Sequence, residues 1–163
     1  MIVYHGSTEI IKNPDVLHSK KYLDFGQGFY ITTFENQAKK WAVRKGMRQE
    51  KTAIVNIYEL SEDWKAFKVL SFENENAEWL DFVCACRKGQ PLNQEYDIIV
   101  GNVADDDVFK TVDMYFRGLW DKEKVLGELR YYKMNNQICI VNQETLNQLI
   151  TFKKAYEVEN NGR

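Results

Sequence analysis

The sequence predicts an α+β fold, in which short strands and helices follow one another without regular β-α-β alternation. Segments rich in β-branched and aromatic residues recur along the chain, and amphipathic stretches lie between them. A length of 163 residues suits one domain with a buried core. We expect residues 1–158 to form that domain and residues 159–163 to form a flexible polar tail.

Seven segments are predicted to be strands, because each is apolar or β-branched and is bounded by polar residues or glycine. The clearest of them contains the run Ala-Ile-Val-Asn-Ile-Tyr. The seven segments are residues 2–5, 29–32, 53–59, 66–70, 96–100, 137–141 and 150–158.

Four helices are predicted from apolar residues that recur at three- and four-residue spacing. The first begins after Tyr30 and has Thr33 available as its N-cap. The second covers residues 76–87 and the fourth residues 122–132. The third begins at the acidic run 105–107, since carboxylates favour a helix N-terminus.

Composition and charge exclude several classes of protein. The chain has 22 Lys and Arg against 24 Asp and Glu, and no long block of like charge, so no sequence-wide preference for nucleic acid is predicted. No apolar segment reaches the length of a membrane span, and no membrane partner is expected.

The cysteines and the start of the chain predict a compartment. Cys84, Cys86 and Cys139 form an odd set without C-x-x-C spacing, which is typical of reduced core thiols. The chain starts on the strand-like residues 2–4, without a charged and apolar leader. We therefore expect a cytoplasmic protein, or one delivered into a target cell by a leaderless route.

The first motif is the tetrapeptide Tyr4-His5-Gly6-Ser7 at the end of the first strand. A lone histidine at a strand end is more often a structural hydrogen-bonding group than a catalytic one. Its neighbours favour a ligand site, because glycine lets a backbone approach a ligand closely and serine adds a hydroxyl group. The only other histidine is His18, which excludes a multi-histidine metal site.

The second motif is residues 25–33, Phe-Gly-Gln-Gly-Phe-Tyr-Ile-Thr-Thr, followed by Trp41 eleven residues after Tyr30. A bare G-x-G is a weak signal for a phosphate-binding loop, and no third glycine completes a Rossmann motif. The alternative is a glycine-bearing turn that leads into a core strand. Likewise, a tryptophan on an amphipathic helix is usually part of the core.

Together, residues 4–7, residues 25–33 and Trp41 resemble the ADP-ribosyltransferases of the diphtheria-toxin and poly(ADP-ribose) polymerase type. The resemblance implies a split β-sheet core around an NAD cleft, with peripheral helices. The run 100–107, which ends in three acids, resembles, together with residues 78–82 and 96–98, an uncharacterised bacterial family placed near these transferases.

The resemblance also implies roles for individual residues. His5 would hydrogen-bond an NAD ribose, and the Gly6 backbone would pair with the nicotinamide carboxamide. Tyr30 and Trp41 would hold the nicotinamide ring between them, Trp41 standing where the family usually has a second tyrosine. Ala38 stands where the polymerase branch commonly has a serine. The expected NAD-binding set is His5, Gly6, Ser7, Gly28, Phe29, Tyr30, Thr32 and Trp41.

The catalytic triad implied by the resemblance is His5, Tyr30 and Gln137, where the family has a glutamate at the third position. A glutamine can orient a hydroxyl group, but it supplies no negative charge and cannot act as a base. This departure disfavours chain-forming polymerase activity and leaves single transfer. Asp105 and Asp106 are candidate auxiliary acids on the acceptor side, with a solvated helix start as the alternative.

The expected function is therefore an NAD-dependent mono-ADP-ribosyltransferase that modifies a macromolecule, protein rather than nucleic acid, and releases nicotinamide. A bacterial toxin, effector or defence role would add a cognate neutralising protein. The alternatives are an NAD glycohydrolase, an NAD- or ADP-ribose-binding module without turnover, and an RNA 2′-phosphotransferase. The last would be expected to place basic residues at the two motifs.

Basic residues cluster in and after the first predicted helix, over residues 39–51. The simplest interpretation is a solvated helix face. They could also attract the NAD pyrophosphate, or a nucleic-acid acceptor, through a long-range field.

Overall fold

The computed structural model describes residues 1–19, 23–74, 76–103, 106–129 and 135–159. Within these ranges the chain forms seven strands in two sheets and five α-helices, which confirms the α+β class. No helix in the described part of the chain is long and apolar enough to cross a membrane.

The first sheet has three antiparallel strands in the order β1-β3-β7. These are β1 (Ile2–Ser7), β3 (Ile54–Leu60) and β7 (Ile150–Glu157). β3 lies in the middle and is the most buried, as its apolar sequence predicts.

The second sheet has four strands in the order β2-β6-β5-β4. They are β2 (Phe29–Ile31), β4 (Val69–Ser71), β5 (Ile98–Gly101) and β6 (Gln137–Ile140). Only the β4–β5 pair is parallel among these described strands. All four residues of β6 are buried, so the central strand is covered on both faces.

The helices are α1 (Glu35–Gln49), α2 (Ala77–Arg87), α3 (Asp106–Phe116), α4 (Lys122–Leu129) and α5 (Gln143–Leu149). Asparagine side chains cap two of them: Asn76 accepts from the Trp79 N–H, and Asn142 accepts from the Thr145 N–H. These caps satisfy amide groups that would otherwise lack a partner in the first turn.

The structure corrects three details of the predicted elements. Thr33 does not cap α1; the N-cap is Phe34, without a side-chain bond, because the Thr33 hydroxyl accepts from Asn136 instead. Residue 66 belongs to a short 3₁₀ helix, Glu62–Ala66, rather than to a strand. Helix α5 was not predicted, since seven residues are too few to show a clear periodicity.

The second sheet separates two apolar clusters. On one face, Tyr30 and Cys139 pack with Phe25 and Trp79. On the other face, Phe29 packs with side chains of β1 and β3. Because neighbouring residues of a strand point to opposite faces, Phe29 and Tyr30 belong to different parts of the core.

Helix α1 lies against β1 at very short range, and Gly6 makes this possible. A Cβ atom at Gly6 would lie 2.3 Å from the Ala38 carbonyl oxygen and 2.8 Å from the Ala42 nitrogen. Both of these are backbone atoms of α1, which a rotamer change cannot move. A side chain at position 6 would therefore push the helix off the strand.

We expect Gly6→Ala to lower the free energy of unfolding by about 2 kcal/mol or more, because the added methyl group overlaps backbone atoms. Gly118→Ala is the matched control: it has positive φ, 75°, but open space around its Cβ. Its cost is about 1 kcal/mol of backbone strain. Urea unfolding of both variants checks this, and an equal loss in the two would contradict the close packing of α1.

Candidate functional site

The two sheets separate between β1 and β2. Tyr4 and Thr32 form an isolated antiparallel bridge, with N···O distances of 2.8 and 3.0 Å. Beyond it, the Nδ1 atom of His5 lies 2.6 Å from the Tyr30 carbonyl oxygen. That bond lies where the next backbone pair, Gly6 with Tyr30, would follow in a continued ladder. The imidazole therefore replaces a backbone–backbone hydrogen bond between β1 and β2, and the two strands diverge beyond this point.

The backbone of Gly6 faces the space that this divergence opens. Tyr4 uses both its N–H and its C=O toward Thr32, so these groups point away from β3. Backbone groups of alternate residues in a strand point to the same side, so the N–H and C=O of Gly6 point in the same direction as those of Tyr4. We call the space bounded by His5, Gly6 and the Tyr30 carbonyl the β1–β2 cleft.

His5 is held as a neutral ring. It stacks on Phe29 with a centroid distance of 4.5 Å. Burial lowers the pKa of His5 to about 4, outweighing the bond to the Tyr30 carbonyl, which acts in the opposite direction. Since a carbonyl oxygen only accepts, Nδ1 carries the proton and Nε2 is left as an acceptor.

A cavity of about 610 Å³ adjoins the β1–β2 cleft at His5. Phe29, Lys45 of α1 and residues 9–13 of the loop after β1 line it, and we call residues 9–13 the loop wall. Its size falls in the range of about 300–1,000 Å³ that is usual for small-molecule sites.

The loop wall is fixed by two side chains of β3. The buried Asn56 amide accepts from the Ile11 N–H at 2.8 Å and donates to the Glu9 carbonyl at 2.9 Å. The Tyr58 hydroxyl donates to the Ile11 carbonyl at 2.6 Å. Sequence reasoning missed Asn56, although a polar residue amid an apolar strand was the available signal. It gives the cavity a preformed wall.

Trp41 lies on α1, although it is not among the described residues that line the cavity. It is half-buried and precedes Lys45, which lines the cavity, by one helical turn. Ser7 is buried at the end of β1, on the same face of the strand as His5.

The Tyr30 ring faces away from His5. It stacks on Phe25 at a centroid distance of 6.5 Å, and its hydroxyl accepts from the Phe25 N–H and donates to the Gly26 carbonyl. Trp41 is not among the described side chains packed on this cluster. The Tyr30 ring thus lies on the Phe25 face of the second sheet, opposite to Phe29 and His5, and a sandwich of one ligand between Tyr30 and Trp41 stays a prediction.

Gln137 lies on the Tyr30 side of the second sheet, in a buried polar cluster. Its Nε2 atom donates to Asp24 Oδ2 at 3.0 Å and to the Asn102 carbonyl at 3.3 Å. Arg87 Nε donates to Asp24 Oδ1 at 2.9 Å, and its NH2 group contacts the same oxygen. A carboxylate thus lies beside the position where the family resemblance implies one, but it comes from the loop before β2 and is paired with a cation.

The glycines of the second motif serve packing. Gly26 has φ of 76°, and a Cβ atom there would lie 2.6 Å from the Asn93 amide nitrogen. A Cβ atom at Gly28 would lie 2.5 Å from the Cys139 sulfur. These contacts favour the alternative of a turn that leads into a core strand over a phosphate-binding loop.

Thr32 is buried and has a structural contact of its own. Its hydroxyl donates to the Asn136 side chain at 2.8 Å and accepts from the Phe34 N–H at 3.1 Å. Asn136 in turn bonds the backbone of Thr33, so these residues join the start of α1 to the loop before β6.

Residues 1–152 match the model of a family described as a protein of unknown function, DUF3990. The chain belongs to this family. The match covers the whole of both sheets except the last five residues of β7. No curated protein matches the chain.

The structure does not test the acidic candidates Asp105 and Asp106. Asp105 lies outside the described residues, and Asp106 is the first residue of α3. In the described part of the chain, no group of three or more His, Cys, Asp or Glu residues is placed to hold a metal ion.

His5 makes stability depend on pH. Its folded-state pKa of about 4 is below the value of 6.5 for a free histidine, so acid protonates the unfolded chain first. We expect the free energy of unfolding to fall by up to about 3 kcal/mol as pH falls from 6.5 to 4. His5→Asn should flatten this profile, whereas the exposed His18→Asn should keep it. Urea unfolding across this range measures the effect, and an unchanged slope in His5→Asn would contradict it.

Gln137→Glu would place a second carboxyl group beside Asp24. We expect a loss of about 2–4 kcal/mol in the free energy of unfolding at pH 7, since Arg87 cannot balance both charges. The pKa of the new carboxyl would be raised in the folded state, so the loss should shrink as pH falls toward its unfolded value. Gln94→Glu, the same change at an exposed site, should change stability little. Equal losses for the two variants would show that Gln137 is not in a closed polar cluster.

Proposed function

We propose that the protein binds NAD in the β1–β2 cleft and the adjoining cavity, and transfers ADP-ribose to a macromolecular acceptor with release of nicotinamide. The observation that carries this proposal is the orientation of the Gly6 backbone toward the cleft. A primary carboxamide has one donor and one acceptor side by side, so it complements the N–H and C=O of a single strand residue.

The residues around the cleft suit the other parts of the NAD molecule. The neutral His5 presents Nε2 as an acceptor for a ribose hydroxyl group. Lys45 and Lys12 line the cavity and can balance a pyrophosphate. Trp41, one helical turn before Lys45 on α1, would offer an aromatic face to the cationic nicotinamide ring, a contact of about 0.5–2 kcal/mol.

The reaction breaks the bond between ribose C1′ and the nicotinamide nitrogen. The electron pair stays on the nitrogen, which neutralises the ring, while the acceptor nucleophile bonds to C1′ and loses its proton to water. The protein contributes mainly positioning, because His5 and Gly6 hold the ribose and the carboxamide on either side of the breaking bond. Without a free carboxylate at position 137, electrostatic stabilisation of the ribosyl cation is weak, and we expect slow turnover.

A second candidate is a binding module for NAD or ADP-ribose without turnover. The Gln137 amide is committed to Asp24 and Asn102, and the Tyr30 hydroxyl is committed to residues 25–26. Two of the three groups that the family resemblance assigns to catalysis, Tyr30 and Gln137, are thus occupied by bonds within the protein.

Calorimetric titration with NAD tests the binding half of the proposal. Lys45→Gln should weaken binding several-fold, whereas Lys40→Gln, the same charge change on the exposed face of α1, should not. Trp41→Leu should weaken binding about two- to thirty-fold, because an apolar side chain fills the volume but lacks the aromatic face. Absence of NAD binding, or equal effects of Lys45→Gln and Lys40→Gln, would contradict the site.

Product analysis with NAD labelled in the adenylate part decides the reaction. Free nicotinamide with label on a macromolecule supports transfer, and free nicotinamide with free ADP-ribose indicates a glycohydrolase. Tight binding without nicotinamide release supports the binding module and contradicts the transferase.

A further inference from the structure

The charge of the chain is divided unevenly. Residues 35–51, which are α1 and the two residues after it, contain six Lys and Arg against two acids, a net charge of +4. The whole chain carries −2, so all other residues together carry −6. The overall charge therefore hides a local positive surface, which creates a field that a balanced chain would lack.

The cations of α1 lie along its outward side. Lys40, Arg44 and Arg48 are exposed and recur every four residues, so they form one line about 12 Å long. The opposite side of the helix is the small-residue stripe that packs against β1 and β3. The packing of α1 on the sheet thus fixes the direction in which the line points.

Aromatic side chains flank the same line. Phe34 is 44% exposed at the start of the helix, where an apolar ring gains nothing from water. Phe34, Trp41, Lys45 and Arg48 are spaced by seven, four and three residues, so they share one side of α1. That side borders the cavity, because Lys45 lines it.

From this surface we infer that α1 binds a single-stranded nucleic acid. We define the basic face as Phe34, Lys40, Arg44 and Arg48; Trp41, beside it, is assigned to NAD in the proposed function. A line of cations with an exposed aromatic ring at one end matches phosphates and an unpaired base, whereas an acidic protein would need only the cations. The length of the line corresponds to three or four nucleotides.

The position of the basic face also indicates which class of macromolecule accepts ADP-ribose. A strand bound along α1 would pass the mouth of the cavity, and so would present its bases or its end to NAD. This step rests on the proposed function, and it favours nucleic acid over the protein acceptor expected from the sequence. The binding itself does not depend on NAD.

Fluorescence anisotropy with labelled dT12 and U12, without NAD, tests the basic face. Lys40→Gln/Arg44→Gln/Arg48→Gln should weaken binding at least ten-fold and make the slope of log K against log salt shallower by about 2, since each lost phosphate contact in a single strand changes it by about 0.7. The control Lys65→Gln/Lys110→Gln/Lys154→Gln removes the same charge from exposed positions elsewhere and should change binding little.

Phe34→Ala separates a nucleic acid from an acidic protein. It should weaken oligonucleotide binding about five- to a hundred-fold without changing the salt slope, because a stacked base is lost rather than a phosphate contact. The inference is overturned by no oligonucleotide binding, by equal losses in the two triple variants, by an unchanged affinity in Phe34→Ala, or by poly-glutamate binding tighter than the oligonucleotides.

The acceptor step has its own readout. Incubation of the wild type with labelled NAD and dT12 or U12 should label the oligonucleotide. Oligonucleotide binding without label overturns the acceptor role and leaves the binding surface, whereas failure to bind NAD by calorimetry locates the fault in the proposed function.

Discussion

The arrangement of the molecule depends on how β1 and β2 separate. A single bridge, Tyr4 with Thr32, joins them, and the His5 imidazole then bonds to the carbonyl where the next backbone pair would form. Because the ring is stacked on Phe29, the strands cannot close the ladder. From the other side, the contact of α1 at Gly6 keeps β1 in place. The cleft is thus built by hydrogen bonds and packing within the protein before any ligand arrives.

Two buried polar side chains, those of Asn56 and Asp24, each hold one loop in place, and they do so in different ways. Asn56 is neutral, and both its amide oxygen and its amide nitrogen bond the backbone of the loop wall, so it costs little to bury. Asp24 is charged, and its burial depends on Arg87 and Gln137 together. A buried ion pair adds little net stability but penalises every arrangement that separates it. The first group shapes the cavity, and the second fixes the loop that leads into β2.

Local patterns in the sequence predicted seven strands and four of the five described helices, because periodicity and capping are properties of neighbouring residues. The contacts that side chains make across the sheet could not be predicted in the same way. Whether Tyr30 or Phe29 faces the cleft depends on the register of β2 with β6, which no local pattern encodes. The pairing of Asp24 with Gln137 joins residues 113 positions apart. Helix α5 was not predicted because its seven residues, about two turns after the Asn142 cap, are too few to show a clear periodicity.

An NMR titration of the ¹⁵N-labelled protein with NAD tests most directly whether the β1–β2 cleft binds the nicotinamide carboxamide. The amide of Gly6 should shift strongly, because it would donate to the nicotinamide carboxamide, and the Nε2 signal of His5 should shift with it. Amides around Asp24 and Gln137, on the far side of the second sheet, should move much less. Shifts centred on Asp24 and Gln137 with an unchanged Gly6 amide, or no shifts at all, would show that NAD does not bind in the β1–β2 cleft.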